Sequence, residues 1–86
     1  MAINILYFSW VREMIGVGQE QVEPPKSVQT VVQLVDWLSA QSSVHHAAFI
    51  DRDRLRAAVD QVFVSLDAPL GEAVEVALFP PVTGGC

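Results

Sequence analysis

The apolar side chains of this chain recur with two different periods, and each period predicts one kind of element. Ile3, Ile5 and Tyr7 alternate with their neighbours, as side chains do in a β-strand with one buried face. This first strand is predicted over residues 2–10. By the same period and their flanking turn residues, further strands are predicted at 19–23, 55–59, 62–66 and 74–79.

A different spacing marks the main helix. Val31, Leu34, Val35 and Leu38 stand at positions i, i+3, i+4 and i+7, which puts them on one face of a helix. Ser27 has the hydroxyl side chain that helix N-caps favour, so the helix is predicted to begin there. Shorter segments are predicted as a helical turn at 12–15 and as a loop or second helix at 44–54.

The order of these elements is β-β-α-β-β-β, which predicts an α+β fold. One main helix packs across one face of a mixed sheet of four to five strands. The first and last strands are strongly apolar, so we expect them side by side at the centre of the sheet. Such an arrangement is the β-grasp, or ubiquitin-like, fold. We expect a single domain over residues 1–86, with a flexible carboxyl-terminal tail at 80–86.

Side-chain parity predicts which residues lie on the sheet face away from the helix. In the last strand Phe79 shares a face with Glu75, whose charge marks that face as solvent-exposed. Asn4 marks the same face in the first strand, where Phe8 shares it, and Phe63 falls on this face of the hairpin strand. Three phenylalanines there predict a docking surface for another protein, unless a loop or the short second helix covers them.

Net charge and cysteine content exclude several classes of function. A net charge of −5 disfavours nucleic acid and anionic membranes as partners, because both attract clusters of Lys and Arg. The single cysteine cannot form an internal disulfide, and no segment reaches the ~20 apolar residues of a membrane span. The amino terminus lacks the basic start of a signal peptide. We therefore expect a cytoplasmic protein that binds neither nucleic acid nor membrane.

The sequence contains no arrangement of side chains typical of an enzyme or a metal centre. His45 and His46 are adjacent without further ligands beside them, so we interpret them as surface loop and predict no metal site. No glycine-rich phosphate loop or nucleophile elbow occurs. If the chain takes part in a reaction, we expect the reacting group to be its own main-chain carboxylate.

The carboxyl terminus has the features of a segment that enters the active site of another protein. It reads Pro80-Pro81-Val82-Thr83-Gly84-Gly85-Cys86. The prolines end the last strand and keep the chain extended, because proline fixes φ and donates no hydrogen bond. The glycines lack a Cβ and can pass through a narrow channel. At about 3.3 Å per residue the segment reaches roughly 20 Å. A frayed tail is the alternative.

Several stretches of the sequence form a pattern shared with a known family. They are residues 8–16, 57–61, 64–67 and 69–70, followed by Val74-Glu75-Val76-Ala77-Leu78-Phe79-Pro80-Pro81-Val82-Thr83-Gly84-Gly85. Through them the chain resembles the small subunits of molybdopterin synthase, which are sulfur carriers. The resemblance covers nearly the whole chain, is least specific at 17–54, and is strongest in the final stretch.

The resemblance implies a reaction at the carboxylate of Gly85. An E1-like activating enzyme adenylates it with ATP, and a sulfur donor system converts it to a thiocarboxylate. The sulfur then passes to cyclic pyranopterin monophosphate on a large synthase subunit, within a heterotetramer. No cofactor is expected on the chain itself. Besides Gly84 and Gly85, the resemblance and the parity argument assign partner binding to Phe8, Phe63, Phe79, Pro80, Pro81, Val82 and Thr83.

Cys86 departs from the family pattern, which ends at the Gly-Gly pair. Gly85 has no free carboxylate while Cys86 is attached, so three explanations stay open. A protease removes Cys86, Cys86 is an addition to the natural chain, or the chain is not a standard carrier. Other functions also stay open: sulfur transfer in thiamine, cysteine or siderophore pathways, a ubiquitin-like modifier joined to lysines through Gly85, and an interaction module with an inert tail.

Overall fold

The computed structural model describes residues 2–81, which form a five-stranded mixed sheet and three α-helices. The strands are β1 (Ile3–Tyr7), β2 (Gln19–Val22), β3 (Arg56–Val59), β4 (Val62–Val64) and β5 (Glu75–Phe79). The helices are α1 (Ser9–Ile15), α2 (Val31–Ser39) and α3 (Ser43–Ala48), and a 3-10 turn covers Arg52–Arg54. Within this part of the chain, no helix is long and apolar enough to cross a membrane.

The strands lie in the order β2-β1-β5-β3-β4 across the sheet. The last strand, β5, runs parallel to β1 on one side and antiparallel to β3 on the other. The first and last strands are therefore adjacent inside the sheet, as predicted, and β2 and β4 form its edges. With α2 packed across one face, this is the predicted β-grasp arrangement, so the prediction of fold class is confirmed.

The hydrophobic core lies between α2 and one face of the sheet, which we call the inner face. The predicted stripe of Val31, Leu34, Val35 and Leu38 is fully buried. Its partners are the inner-face side chains of β1, β3 and β5, namely Ile3, Ile5, Tyr7, Ala57, Val76 and Leu78. Because α2 is committed to the inner face, the opposite, outer face can meet other molecules.

Helix α2 begins later than predicted, because Ser27 is not its N-cap. The N-cap is Thr30, whose side-chain oxygen accepts a hydrogen bond from the backbone N–H of Gln33 at 3.3 Å. The side chain of Gln33 accepts one in return from the backbone N–H of Thr30 at 3.2 Å. This reciprocal pair satisfies two N–H groups at once, which a lone serine upstream cannot do.

The first strand ends at Tyr7 rather than at residue 10. At Phe8 the chain turns into α1, and Phe8 is the extended N-cap residue of that helix, with φ −130° and ψ 156°. Helix α1 therefore replaces both the end of the predicted strand and the helical turn predicted at 12–15. It ends at Gly16, whose φ of 97° lies in the left-handed region that glycine adopts without strain.

Candidate functional site

The outer face of the sheet carries an open apolar groove of about 710 Å³. One row of residues crosses its floor in register. Leu6 on β1 pairs with Ala77 on β5, and Ala77 pairs with Ala58 on β3. Ala58 in turn pairs with Phe63 on β4. The floor is low because the two alanines have small side chains, and the larger residues around them form its walls.

Phe63 and Phe79 form the wall on the side of edge strand β4. Their ring centroids are 5.6 Å apart and their planes are inclined at 48°, a favourable geometry for two aromatic rings. Phe63 is 79% exposed. An edge strand that exposes a large apolar side chain invites association with another chain. The structure places both residues on the outer face, as parity predicts, and their contact with a partner stays a prediction.

Phe8 lines the groove from the side of β1, although it is not part of that strand. Its side chain is 47% exposed. Its backbone N–H donates to the carbonyl oxygen of Leu78 at 3.3 Å, which holds Phe8 beside β5. The next residue, Ser9, has a φ of 54° and also lines the groove. A non-glycine residue in this region is strained, and such strain is concentrated at functional sites.

The groove continues to the point where the chain leaves β5. Pro80 and Pro81 line it directly after the last residue of the strand. Strand β5 is paired on both sides, so the sheet fixes where and in which direction the tail begins. Residues 82–86 lie outside the described residues. The roles predicted for Val82, Thr83, Gly84 and Gly85 therefore stay predictions.

Side chains of opposite charge lie near the two ends of the groove: Glu75 lines it, and Arg56 lines an adjoining pocket that shares Phe63, Phe79 and Pro81 with it. Arg56 on β3 lies opposite Phe79 in the register and borders the end nearest the tail. Glu75 is the first residue of β5 and lines the other end. Glu75 and Phe79 are four residue steps apart along β5, which is roughly 13 Å at about 3.3 Å per residue.

A strained hairpin turn supports the groove at the acidic end. Between β3 and β4, Asp60 has a φ of 48° and Gln61 a φ of 71°. Two consecutive positive φ values are typical of the type I′ turn, which suits the twist of a hairpin. One carboxylate oxygen of Asp60 accepts hydrogen bonds from the backbone N–H groups of Val74 and Glu75, both at 3.1 Å. These bonds tie the hairpin to the start of β5.

His45 does not lie in a surface loop, contrary to the sequence interpretation. It is part of α3, and its Nε2 is 2.6 Å from Oε2 of Glu20 on β2. The hydroxyl of Tyr7 on β1 donates to the same oxygen at 2.5 Å, and Ser42 Oγ is 2.7 Å from Nδ1 of His45. This network joins α3 to two strands that are distant from it in sequence. The sequence pattern around His45 and His46 therefore could not reveal it.

The network shifts two pKa values. Burial raises the pKa of the Tyr7 hydroxyl, and the hydrogen bond and negative charge of Glu20 raise it further. Partial burial also raises the pKa of Glu20, but hydrogen bonds from His45 and Tyr7 and the charge of His45 outweigh it, so this pKa lies below its ordinary value. At neutral pH Tyr7 is therefore protonated and Glu20 is ionised. In these protonation states the Tyr7 hydroxyl can donate a hydrogen bond and the Glu20 carboxylate can accept it, which holds β1, β2 and α3 together.

The arrangement of the groove suits the binding of an apolar surface. The groove is lined mainly by apolar side chains, and its polar members are Ser9, Gln61 and Glu75. Over residues 2–81, no three side chains of His, Cys, Asp or Glu are grouped so as to hold a metal ion.

Comparisons with known proteins agree with this description. The sequence matches the ThiS family over residues 5–85. It is 42% identical over 83 residues to the molybdopterin synthase sulfur carrier subunit of Escherichia coli K12, covering 96% of this chain and 99% of that protein. It is 34% identical, with the same coverage, to the protein of that name from Haemophilus influenzae.

A solved structure has the same fold. It belongs to a Pyrococcus furiosus protein provisionally named molybdopterin converting factor, subunit 1, with a TM-score of 0.73 and 27% identity. The superposition covers 95% of this chain and 99% of that chain. The family match, the two full-length relatives and the β-grasp topology lead to one conclusion. The chain is a member of the ThiS family.

Proposed function

We propose that this chain is the sulfur carrier subunit of a molybdopterin synthase and acts in the cytoplasm in the biosynthesis of molybdenum cofactor. The observation that carries the proposal is the 42% identity, over nearly the full length of both proteins, to a protein of that name. The apolar groove beside the start of the tail supports it, because a carrier has to dock before it can deliver its terminus.

The reacting group in this proposal is the carboxylate of Gly85. An ionised carboxylate is a poor electrophile, so an E1-like enzyme first transfers AMP to it from ATP and releases pyrophosphate. Sulfur from a donor system then displaces AMP and leaves a thiocarboxylate. Sulfur is a better nucleophile than carboxylate oxygen and can be transferred to cyclic pyranopterin monophosphate. ATP is bound by the activating enzyme, and the carrier itself binds no cofactor.

The large synthase subunit is the proposed occupant of the groove. Phe8, Phe63 and Phe79 would supply the apolar contacts, since aromatic side chains dominate the binding energy of many interfaces. Pro80 and Pro81 lie at the end of the same groove. A partner seated on the phenylalanines would therefore receive the tail at a fixed position, and docking and delivery would be coupled.

The role of Gly85 can be tested with two versions of the chain. One version ends at Gly85 and the other retains Cys86, and each is mixed with the activating enzyme. ATP–pyrophosphate exchange measures adenylation. We expect exchange only with the version that ends at Gly85, because only that version has a glycine carboxylate to adenylate. Equal exchange, with Cys86 shown by mass to remain attached, would contradict the proposal.

Reconstitution separates the proposed function from its alternatives. The thiocarboxylated chain is mixed with the large subunit and cyclic pyranopterin monophosphate, and molybdopterin is measured. Formation of molybdopterin supports the proposal. A thiocarboxylate that yields no molybdopterin favours another sulfur pathway, such as those of thiamine, cysteine or siderophores. An amide bond between Gly85 and a lysine favours a ubiquitin-like modifier.

A further inference from the structure

Arg56 is fixed in position at the tail end of the groove. Its Nη1 donates hydrogen bonds to the backbone carbonyl oxygens of Asp53 at 3.1 Å and Leu55 at 2.9 Å. Together with Phe63 and Phe79 it lines the border of the apolar surface. A guanidinium that is held by backbone groups loses little conformational freedom when a partner binds it.

The neighbouring arginines are engaged elsewhere. Arg52 pairs with Asp36 at 2.6 Å, and the guanidinium of Arg54 lies 5.6 Å from the centre of the Trp10 ring. Arg56 has no carboxylate within salt-bridge distance among residues 2–81. Its charge is therefore available to a molecule that occupies the groove.

At the other end, the carboxylate of Glu75 is likewise free to pair with a charged group of a bound molecule. Its backbone N–H is bonded to Asp60, while its carboxylate forms no hydrogen bond or ion pair within the described part of the chain. Between Glu75 and Arg56 the floor consists of apolar side chains such as Ala77 and Ala58. The groove is thus an apolar strip with a carboxylate at one end and, in the pocket that adjoins the other end, the guanidinium of Arg56.

We propose that this polarity fixes the orientation of the large synthase subunit on the groove: the partner segment places an acidic side chain against Arg56 and a basic side chain against Glu75. The inference rests on the proposed function for the identity of the partner. Apolar contacts are not directional, so an alanine floor alone would accept a segment in either direction. Opposite charges at the two ends favour one direction and disfavour the reverse, where like charges would meet.

The test reverses the charges singly and together. Arg56→Glu and Glu75→Lys change the net charge by two units in opposite directions, and the double variant keeps the wild-type value of −5. Each variant is titrated with the large subunit at several salt concentrations, and thermal unfolding is recorded for each. Lys26→Glu and Glu72→Lys make the same changes in net charge outside the groove and serve as matched controls. Arg56→Gln removes the charge without reversing it.

We expect each single reversal in the groove to raise the Kd at least tenfold and Arg56→Gln to raise it less. We expect the controls to change the Kd by no more than about twofold. The double variant is the decisive one. Polarity predicts that it binds more weakly than wild type despite its unchanged net charge, with the difference decreasing at high salt. Wild-type affinity in the double variant would show that net charge alone matters and would overturn the inference.

Failure of the proposed function gives a different result. If the wild-type chain does not bind the large subunit, both proposals are overturned. If it binds, and Phe79→Ala weakens binding while the charge reversals do not, only the orientation inference is overturned. The charge reversals could also reduce adenylation by the activating enzyme while leaving the affinity for the large subunit intact. That result would assign the charge pattern to binding of the activating enzyme and would overturn the inference.

Discussion

Two residues of β5, three positions apart, are expected to separate folding from binding at the scale of single side chains. Val76 is fully buried on the inner face, where it packs in the core. Phe79 is half-buried on the outer face, where its ring lies beside that of Phe63 in the same wall of the groove. Because both belong to one strand, they test the assignment of the two faces without changing any other element.

Phe79→Ala is expected to weaken association with the large subunit at least tenfold, or about 1.4 kcal/mol, with little change in melting temperature. Val76→Ala is expected to cost about 2–3 kcal/mol of unfolding free energy through lost burial and a cavity, and to leave affinity unchanged. Calorimetric binding and thermal unfolding of both variants check this. The opposite result, unfolding by Phe79→Ala with intact affinity, would mean that the two faces are assigned the wrong way round.

The sequence predicted some site residues better than others for a physical reason. The side-chain period of a strand is two, so one charged residue such as Glu75 assigns every other residue of β5 to a face. Phe63 and Phe79 followed from this rule, and so did Phe8, although a turn after β1 brings it to the groove instead of the strand itself. His45 reaches Glu20 through tertiary contact between distant segments, which leaves no periodic signal in the sequence.

At the scale of elements, the β3–β4 hairpin is held in a strained turn. Asp60 and Gln61 both have a positive φ. The strain at Asp60 is offset by its side-chain hydrogen bonds to the start of β5, whereas the side chain of Gln61 forms no hydrogen bond within residues 2–81. We predict that Gln61→Gly stabilises the domain by about 0.5–1 kcal/mol, because glycine adopts a positive φ without strain. Thermal unfolding measures the gain. Gln61→Ala, which keeps the strain, is the control, and equal stabilisation by both would contradict the explanation.

The network that joins α3 to β1 and β2 predicts a dependence of stability on pH. The pKa of Glu20 is lowered in the folded state, so its contribution is present above the ordinary value of 4.5 and is lost as pH falls through the folded value. We predict that wild type loses more unfolding free energy on acidification from pH 7 to pH ~3 than Glu20→Gln does. Denaturant unfolding at each pH checks this. Glu23→Gln, at an exposed neighbouring position, should behave like wild type.

The order of the strands and the main helix, and the adjacency of the first and last strands, were predictable, while element ends were not. Apolar periodicity predicted five strands and the main helix, since burial of one face dominates the energetics of each. The start of α2 depends instead on which hydroxyl finds a reciprocal partner, and Thr30 with Gln33 outcompetes Ser27. The strand predicted at 62–66 ends at Val64, and Leu66 accepts a hydrogen bond from α2 through its carbonyl oxygen. Such ends are decided by local hydrogen bonds between elements.

At the scale of the whole molecule, one strand connects the outer-face groove to the start of the carboxyl-terminal segment. Strand β5 supplies Phe79 to the groove and leads directly into Pro80 and Pro81. Its pairing with β1 and β3 on either side fixes both features relative to each other.

The mass of the chain after incubation tests the central claim, sulfur carriage at Gly85, most directly. The version that ends at Gly85 is incubated with the activating enzyme, ATP and a sulfide source, and its intact mass is measured. We predict an increase equal to the replacement of one oxygen by sulfur, located at Gly85 by fragmentation and absent without ATP. An unchanged mass, under conditions where the same enzymes convert the Escherichia coli carrier, would contradict the account.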